Sequence, residues 1–203
     1  RTSNFGNTSI HSIAYGNSLW AAAGSAGQLR TSTDAITWTT QTSNFGDTSI
    51  QSVAYDNNLW VAAGSAGQLR TSTDATTWTT RESNFGTTVI TSVAFGNSLW
   101  VAVGGTYSGV SEIRTSTDAI NWVTQTSNIS NARLNEVAYG NGLWVAVGQK
   151  GSLVTSATDT SSSVVEMPLT LSADISGSDV RLRATITDAA TTNAEVKVLK
   201  TTL

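Results

Sequence analysis

The sequence has no cysteine, a single proline (Pro168), a single histidine (His11) and few charges. Without cysteine a disulfide-stapled scaffold is excluded, and the redox compartment stays open. One histidine excludes multi-histidine chemistry and most zinc sites. Charged residues make up 12% of the 203 residues, about half of the ~25% usual in a soluble domain. A net charge of −3 with 11 Lys and Arg argues against a nucleic-acid partner. No apolar run approaches the ~18 residues of a membrane span, so no membrane insertion is expected. No basic segment leads into an apolar one, so no signal peptide is visible. The first residue is Arg1 rather than methionine, and we expect a piece or processed product of a longer chain. Ser, Thr, Asn and Gly take the place of charge, and seven tryptophans argue for a folded core rather than disorder.

What is present is a repeat. Thr2-Ser3-Asn4-Phe5-Gly6 returns as Thr42-Ser43-Asn44-Phe45-Gly46, and Ser83-Asn84-Phe85-Gly86 follows at the same spacing of 40. Leu19-Trp20 returns as Leu59-Trp60, Leu99-Trp100 and Leu143-Trp144, with tryptophan spacings of 40, 40 and 44. The four extra residues of the third copy fall between Gly104 and Ile113. Such fidelity means one supersecondary unit copied in tandem. Within the first unit the pattern predicts strands over 10–15, 19–23, 28–33 and 38–41. Gly16-Asn17-Ser18 and its copies supply the positive φ that a two-residue hairpin turn demands. Residues 24–27 form a glycine-bounded turn, and 43–49 lead to the next unit.

The second strand of each unit selects the architecture. In Leu59-Trp60-Val61-Ala62-Ala63-Gly64 both faces are apolar: Trp60, Ala62 and Gly64 on one, Leu59, Val61 and Ala63 on the other. A sheet with one solvated face would alternate apolar and polar residues. Both sides of this strand must be covered, as when one sheet stacks between two others. A four-stranded unit of about 40 residues packed on both faces is a propeller blade. The expected fold is all-β: four blades of about 40 residues, the last incomplete, plus a small C-terminal antiparallel β module. In the fourth unit the pattern fades at Ser156-Ala157-Thr158-Asp159, and no tryptophan follows. Arg1-Thr2-Ser3 aligns with the end of a fourth strand. It is expected either to pair into the last blade and close a ring, or to belong to an open arc.

Ser32-Thr33-Asp34-Ala35-Ile36-Thr37-Trp38 recurs as Ser72 through Asp74 to Trp78, and as Ser116 through Asp118 to Trp122. This motif resembles the Asp-box of bacterial neuraminidase repeats. The resemblance covers residues 1–157. It implies a turn between the third and fourth strands of a propeller blade. The serine and aspartate oxygens can accept backbone N–H groups there, as in Asx-turns, with the tryptophan covering the turn. This sequence departs from the family in carrying Ala35, Ala75 and Ala119 near the place where glycine is usual. Ser32, Asp34, Trp38, Ser72, Asp74, Trp78, Ser116, Asp118 and Trp122 are therefore expected to be structural.

Residues 158–165 read as a linker, with Ser161-Ser162-Ser163 at its centre. Over 166–203, Leu169, Leu171, Ala173 and Ile175 alternate with polar residues, as do Val180, Leu182, Ala184 and Ile186, and then Val196 and Val198. Three half-buried strands are expected. About 40 residues with one apolar face rarely fold alone, so the module is expected to dock on the repeats or on its own kind in other subunits. The segment is similar to C-terminal tails of structural proteins of marine tailed bacteriophages.

Candidate chemistry is sparse. Glycoside hydrolysis needs two carboxyl groups ~5–10 Å apart across a cleft. Glu82, Glu112 and Glu136 each occur in one unit alone, and no pair among them stands out. Sialidase chemistry in the resembling family uses an arginine cluster and a Tyr–Glu pair on six blades, more than are found here. Arg30, Arg70 and Arg114 recur at one position, where the fourth unit has Val154, which favours a structural role. His11 aligns with Gln51, Thr91 and Asn135 and reads as an ordinary surface residue. One carboxylate per turn falls short of the 6–8 oxygens of a calcium site. No metal or cofactor is expected.

Two places are candidates for ligand binding. The enlarged loop of the third unit carries Tyr107 and Glu112, a ring and a carboxylate suited to a sugar. Phe5, Phe45 and Phe85 recur in the loops between units, as glycan platforms or as plugs between blades. The resemblances imply a non-enzymatic virion surface protein: a tail fibre, spike or decoration component, in contact with its own copies or other virion proteins, and binding host-surface glycans. The alternatives are an extracellular lectin-like bacterial adhesion module and a glycosidase-related domain without activity.

Overall fold

The computed structural model describes residues 4–107, 109, 111–127, 129–157, 169–176 and 179–186. The first unit folds as β1 (Ile10–Gly16), β2 (Leu19–Gly24), β3 (Leu29–Ser32) and β4 (Thr39–Gln41), an antiparallel sheet in chain order. The second repeats this as β5 (Ile50–Asp56), β6 (Leu59–Gly64), β7 (Leu69–Ser72) and β8 (Thr79–Arg81). The third gives β9 (Ile90–Gly96), β10 (Leu99–Gly105), β11 (Ser111–Ser116) and β12 (Val123–Gln125). The fourth has three strands, β13 (Leu134–Gly140), β14 (Leu143–Gly148) and β15 (Leu153–Ala157). Two short 3₁₀ turns, Ser65–Gly67 and Gln149–Gly151, are the helical content of the described residues. The architecture is the expected all-β array of blades.

Local chemistry explains each blade. The turns between the first two strands place both central residues in the left-handed region, with Asn17 at φ 48° and Ser18 at 59°, and Asn57 and Asn58 at 47° and 57°. Such turns twist in the sense that antiparallel strands require. The second strand is the centre of the packing. Trp60 and Ala62 face Ala21 and Ala23 of the first blade, while Val61 and Ala63 face Trp100 and Ala102 of the third. The interface between the third and fourth blades repeats this, with Val101 and Val103 against Trp144 and Ala146. Trp60 and Trp100 are each 1% exposed. A buried tryptophan removes ~150–250 Å² from water, a gain on the order of 4 kcal/mol per ring before entropy.

Hydrogen bonds also cross from blade to blade. Ser12 Oγ accepts the Val53 N–H at 3.0 Å, Ser52 Oγ that of Val93 at 3.1 Å, and Ser92 Oγ that of Val137 at 3.3 Å. His11 is exposed, but it is more than a surface residue. Its Nδ1 lies 3.0 Å from the Ile50 carbonyl of the next blade, which calls for a proton on Nδ1. Thr91 occupies the same repeat position and donates to the Leu134 carbonyl at 2.7 Å. In the first and third units this variable polar position ties neighbouring blades.

The fourth blade lacks the turn tryptophan. Trp78 and Trp122 pack in the first two inter-blade cores, and the third core has no counterpart. An apolar cavity of about 60 Å³ lies there, lined by Val101, Val137, Trp144 and Val154 among others. The C-terminal module contributes the hairpin β16 (Leu169–Ser176) and β17 (Asp179–Ile186), in register from Leu169↔Ile186 to Ser176↔Asp179. The expected third strand at 196–198, the linker and Arg1-Thr2-Ser3 lie outside the described residues.

Candidate functional site

Between the third and fourth strands of each full blade the chain makes a serine–aspartate turn. Asp34 Oδ1 accepts the N–H groups of Ile36 at 2.8 Å and Thr37 at 2.7 Å, and the Ser32 hydroxyl at 2.9 Å. Asp74 does the same with Thr76, Thr77 and Ser72, and Asp118 with Ile120, Asn121 and Ser116. The N–H bonds from Thr37 and Ile36, with Ser32 behind them, hold the Asp34 carboxyl down to about 2. The corresponding N–H groups hold Asp74 and Asp118 below the usual carboxylate range. Carboxylates so fixed are poor proton carriers near neutral pH. Ala35, Ala75 and Ala119 sit at φ 56°, 58° and 57°, so alanine adopts the left-handed geometry expected of glycine. Trp78 and Trp122 close the turn by donating Nε1–H to the Ala75 and Ala119 carbonyls, both at 3.1 Å. Trp38, at the same position in the first blade, is only half-buried.

A second structural unit recurs beneath the inter-blade loop. The Arg30 guanidinium lies 4.9 Å from the centre of the Phe5 ring, Arg70 4.8 Å from Phe45, and Arg114 4.7 Å from Phe85. Each arginine also donates to the carbonyl of the preceding loop asparagine: Asn4 at 3.1 Å, Asn44 at 2.9 Å and Asn84 at 2.7 Å. Burial lowers the pKa of Arg30 and Arg70, yet a guanidinium stays charged at any ordinary pH. Phe5, Phe45 and Phe85 are 2%, 2% and 3% exposed. A buried ring already faced by an arginine has no surface for a sugar to stack on, so the platform expectation is corrected in favour of plugs. The repeated arginines gave the signal for this pairing, but the loop ring as partner was not legible.

The enlarged loop of the third blade is different. Tyr107 is 66% exposed, with the Arg133 guanidinium 4.3 Å from its ring centre. Glu112 stands where the first two blades carry Gln28 and Gln68 and the fourth Ser152, and pairs with Arg114 at 2.7 Å. It is thus partly a structural partner of its arginine. Glu112 and Arg114 also line an open groove of about 480 Å³ with Thr124, Gln125, Ser127 and Ser130. Tyr107 lies outside the residues that line it. The groove's hydroxyls and its charged pair supply both donors and acceptors. No feature of the sequence marked Thr124 or Ser130. Glu82 is exposed in a loop, and Glu136, on β13, accepts the Ser92 hydroxyl at 2.7 Å. Among the described residues no group of three His, Cys, Asp or Glu side chains could hold a metal ion.

Four-stranded antiparallel sheets stacked through their second strands define a β-propeller-like protein. Comparison with solved structures agrees. The chain is similar to YCF48 bound to D1 peptide, a β-propeller, with a TM-score of 0.58, 13% identity, and 91% of this chain covering 63% of that one. It is also similar to the computationally designed Ika4 protein, with a TM-score of 0.58, 9% identity, and coverage of 78% of this chain and 96% of that one. For the computationally designed Ika8 protein the TM-score is 0.57 at 13% identity, with 87% of this chain covering 55% of that one. At these identities the likeness is one of fold. No protein-family model and no curated protein matches the chain.

Proposed function

We propose that the protein is a non-enzymatic scaffold of a virion or other extracellular surface, a tail fibre, spike or decoration component that presents a polar groove to host-surface glycans. One observation carries this reading. The recurring charged residues are engaged within the protein itself: the three turn aspartates by backbone N–H groups of their own turns, and the three arginines by phenylalanine rings and asparagine carbonyls of the loops that precede their blades. Repetition here supports the fold rather than a reaction. The resemblance of the turns to Asp-boxes, and of the C-terminal segment to phage structural proteins, supports the virion setting. The groove beside Glu112 and Thr124 suits sugar hydroxyls, and several copies on one particle would add avidity to weak contacts. A bacterial lectin-like adhesion module is the second reading, favoured by the same groove.

A glycan array and a fluorogenic sialoside assay on the full chain test the proposal. Binding to a subset of glycans is expected, reduced at least tenfold by Thr124→Tyr, which fills the groove, with no turnover above buffer. Turnover, or an array blank at high chain density, contradicts it.

A further inference from the structure

Each inter-blade interface has a front, the tryptophan face of the following blade, and a back, the opposite face of the preceding one. The described array ends in one unused copy of each. On the front of the first blade, Ile13 is 55% exposed, whereas Val53, Val93 and Val137 at that repeat position are each 4% exposed. Ile10 is 47% exposed against 0% for Ile50, Ile90 and Leu134. On the back of the fourth blade, Val147 is 41% exposed against 0% for Ala23, Ala63 and Val103. Leu143 is exposed as well.

The two faces carry matching halves of the internal interface. A methyl group on Gly16 would fall 1.8 Å from Tyr55 Cδ1, and one on Gly96 would fall 2.3 Å from Tyr139 Cγ, so these glycines seat the aromatic ring of the next blade. Gly140, the corresponding seat in the fourth blade, has no atom within 4 Å of the same point. Tyr15, the corresponding ring in the first blade, is 55% exposed. The serine-to-amide bond is interrupted in the same way. Glu136 holds the position of Ser12, Ser52 and Ser92, but its carboxylate already accepts the Ser92 hydroxyl of the third blade, so this junction has no serine acceptor, while Ile13 holds the position of the valines whose N–H groups donate.

We infer that the back of the fourth blade binds the front of the first blade of a second copy of this chain, with Tyr15 of one copy seated on Gly140 of the other. The occupant follows from continuity with the internal interface, which the chain forms three times from the same repeat positions, twice with a tyrosine seated on a glycine. The contact is head-to-tail, so copies close into a ring if the rotation permits and extend into a filament if it does not. This interface stands apart from the glycan groove and needs no ligand.

Sedimentation of the full chain, with Ile13→Lys as the front variant and Val147→Lys as the back variant, tests the inference. Wild type is expected to assemble into multiples of its 21.2 kDa mass with rising concentration. Each variant alone should stay at the mass of one chain. An equimolar mixture should form a one-to-one pair, because each variant keeps the face the other has lost. That pair also shows that both variants are folded, and Tyr15→Glu with Leu143→Lys repeats the test independently. A wild type that stays monomeric overturns the inference. So does an assembly that survives both variants, one lost to a single variant only, or a mixture that does not pair.

Discussion

Asp74 is exposed, yet it organises the turn that aims Trp78 into the core. Its carboxyl is held below the unfolded value near ~3.9. The sign follows from linkage: a depressed folded pKa contributes stability above the unfolded value, and that contribution is lost as pH falls towards the folded one. Wild type should melt at a constant temperature from pH 7 to 5 and lose stability below about pH 4. Asp34, at about 2, completes its loss within a measurable window. Asp74→Asn should melt lower than wild type at pH 7, and the gap should close towards pH 2 in circular-dichroism melts. A gap that is constant with pH contradicts the account. The turn itself was legible in the sequence because its bonds are local. Alanine at positive φ was not, because the buried side of Ala75 depends on a neighbouring blade.

Strand positions were legible from the two-sided apolar pattern, since that pattern records what covers each face. Less visible was how closely the second strand approaches the first. Gly64, at φ −172°, is ordinary extended backbone, so its constraint is space rather than conformation. An added methyl group would fall 2.1 Å from the Ser49 carbonyl oxygen and 3.0 Å from Ile50 Cα, atoms of the backbone that cannot swing aside. Overpacking of this kind costs ~1–3 kcal/mol. Gly64→Ala should therefore lower the melting temperature by several degrees, about 2–4 °C per kcal/mol for a chain of this size. Gly140→Ala, with open space around it, should leave the monomer's melting unchanged. Equal effects would mean that the strands are not packed as described. Pairings that span about 40 residues, such as His11 with the Ile50 carbonyl, have no local signature, so a polar position that varies between units read as surface.

Over the whole molecule, four copies of one unit present two kinds of position: those between blades and those at the ends. The sequence is nearly identical at both, so a single unit cannot show which is covered. The groove of the third blade was hidden for a related reason, since its lining comes from β11, β12 and the loop beyond. Among the described residues, apolar side chains stay exposed at both ends of the array, Ile10 and Ile13 at one and Leu143 and Val147 at the other. The second strand of each inner blade is covered on both sides. Val103 and Val147 occupy the same repeat position, one buried between blades and one at an end. The most direct test is the melting of Val103→Lys beside Val147→Lys in dilute solution. A charge forced between blades should cost several kcal/mol and unfold the third interface, whereas the end position should melt as wild type. Equal melting of the two variants would contradict stacked blades.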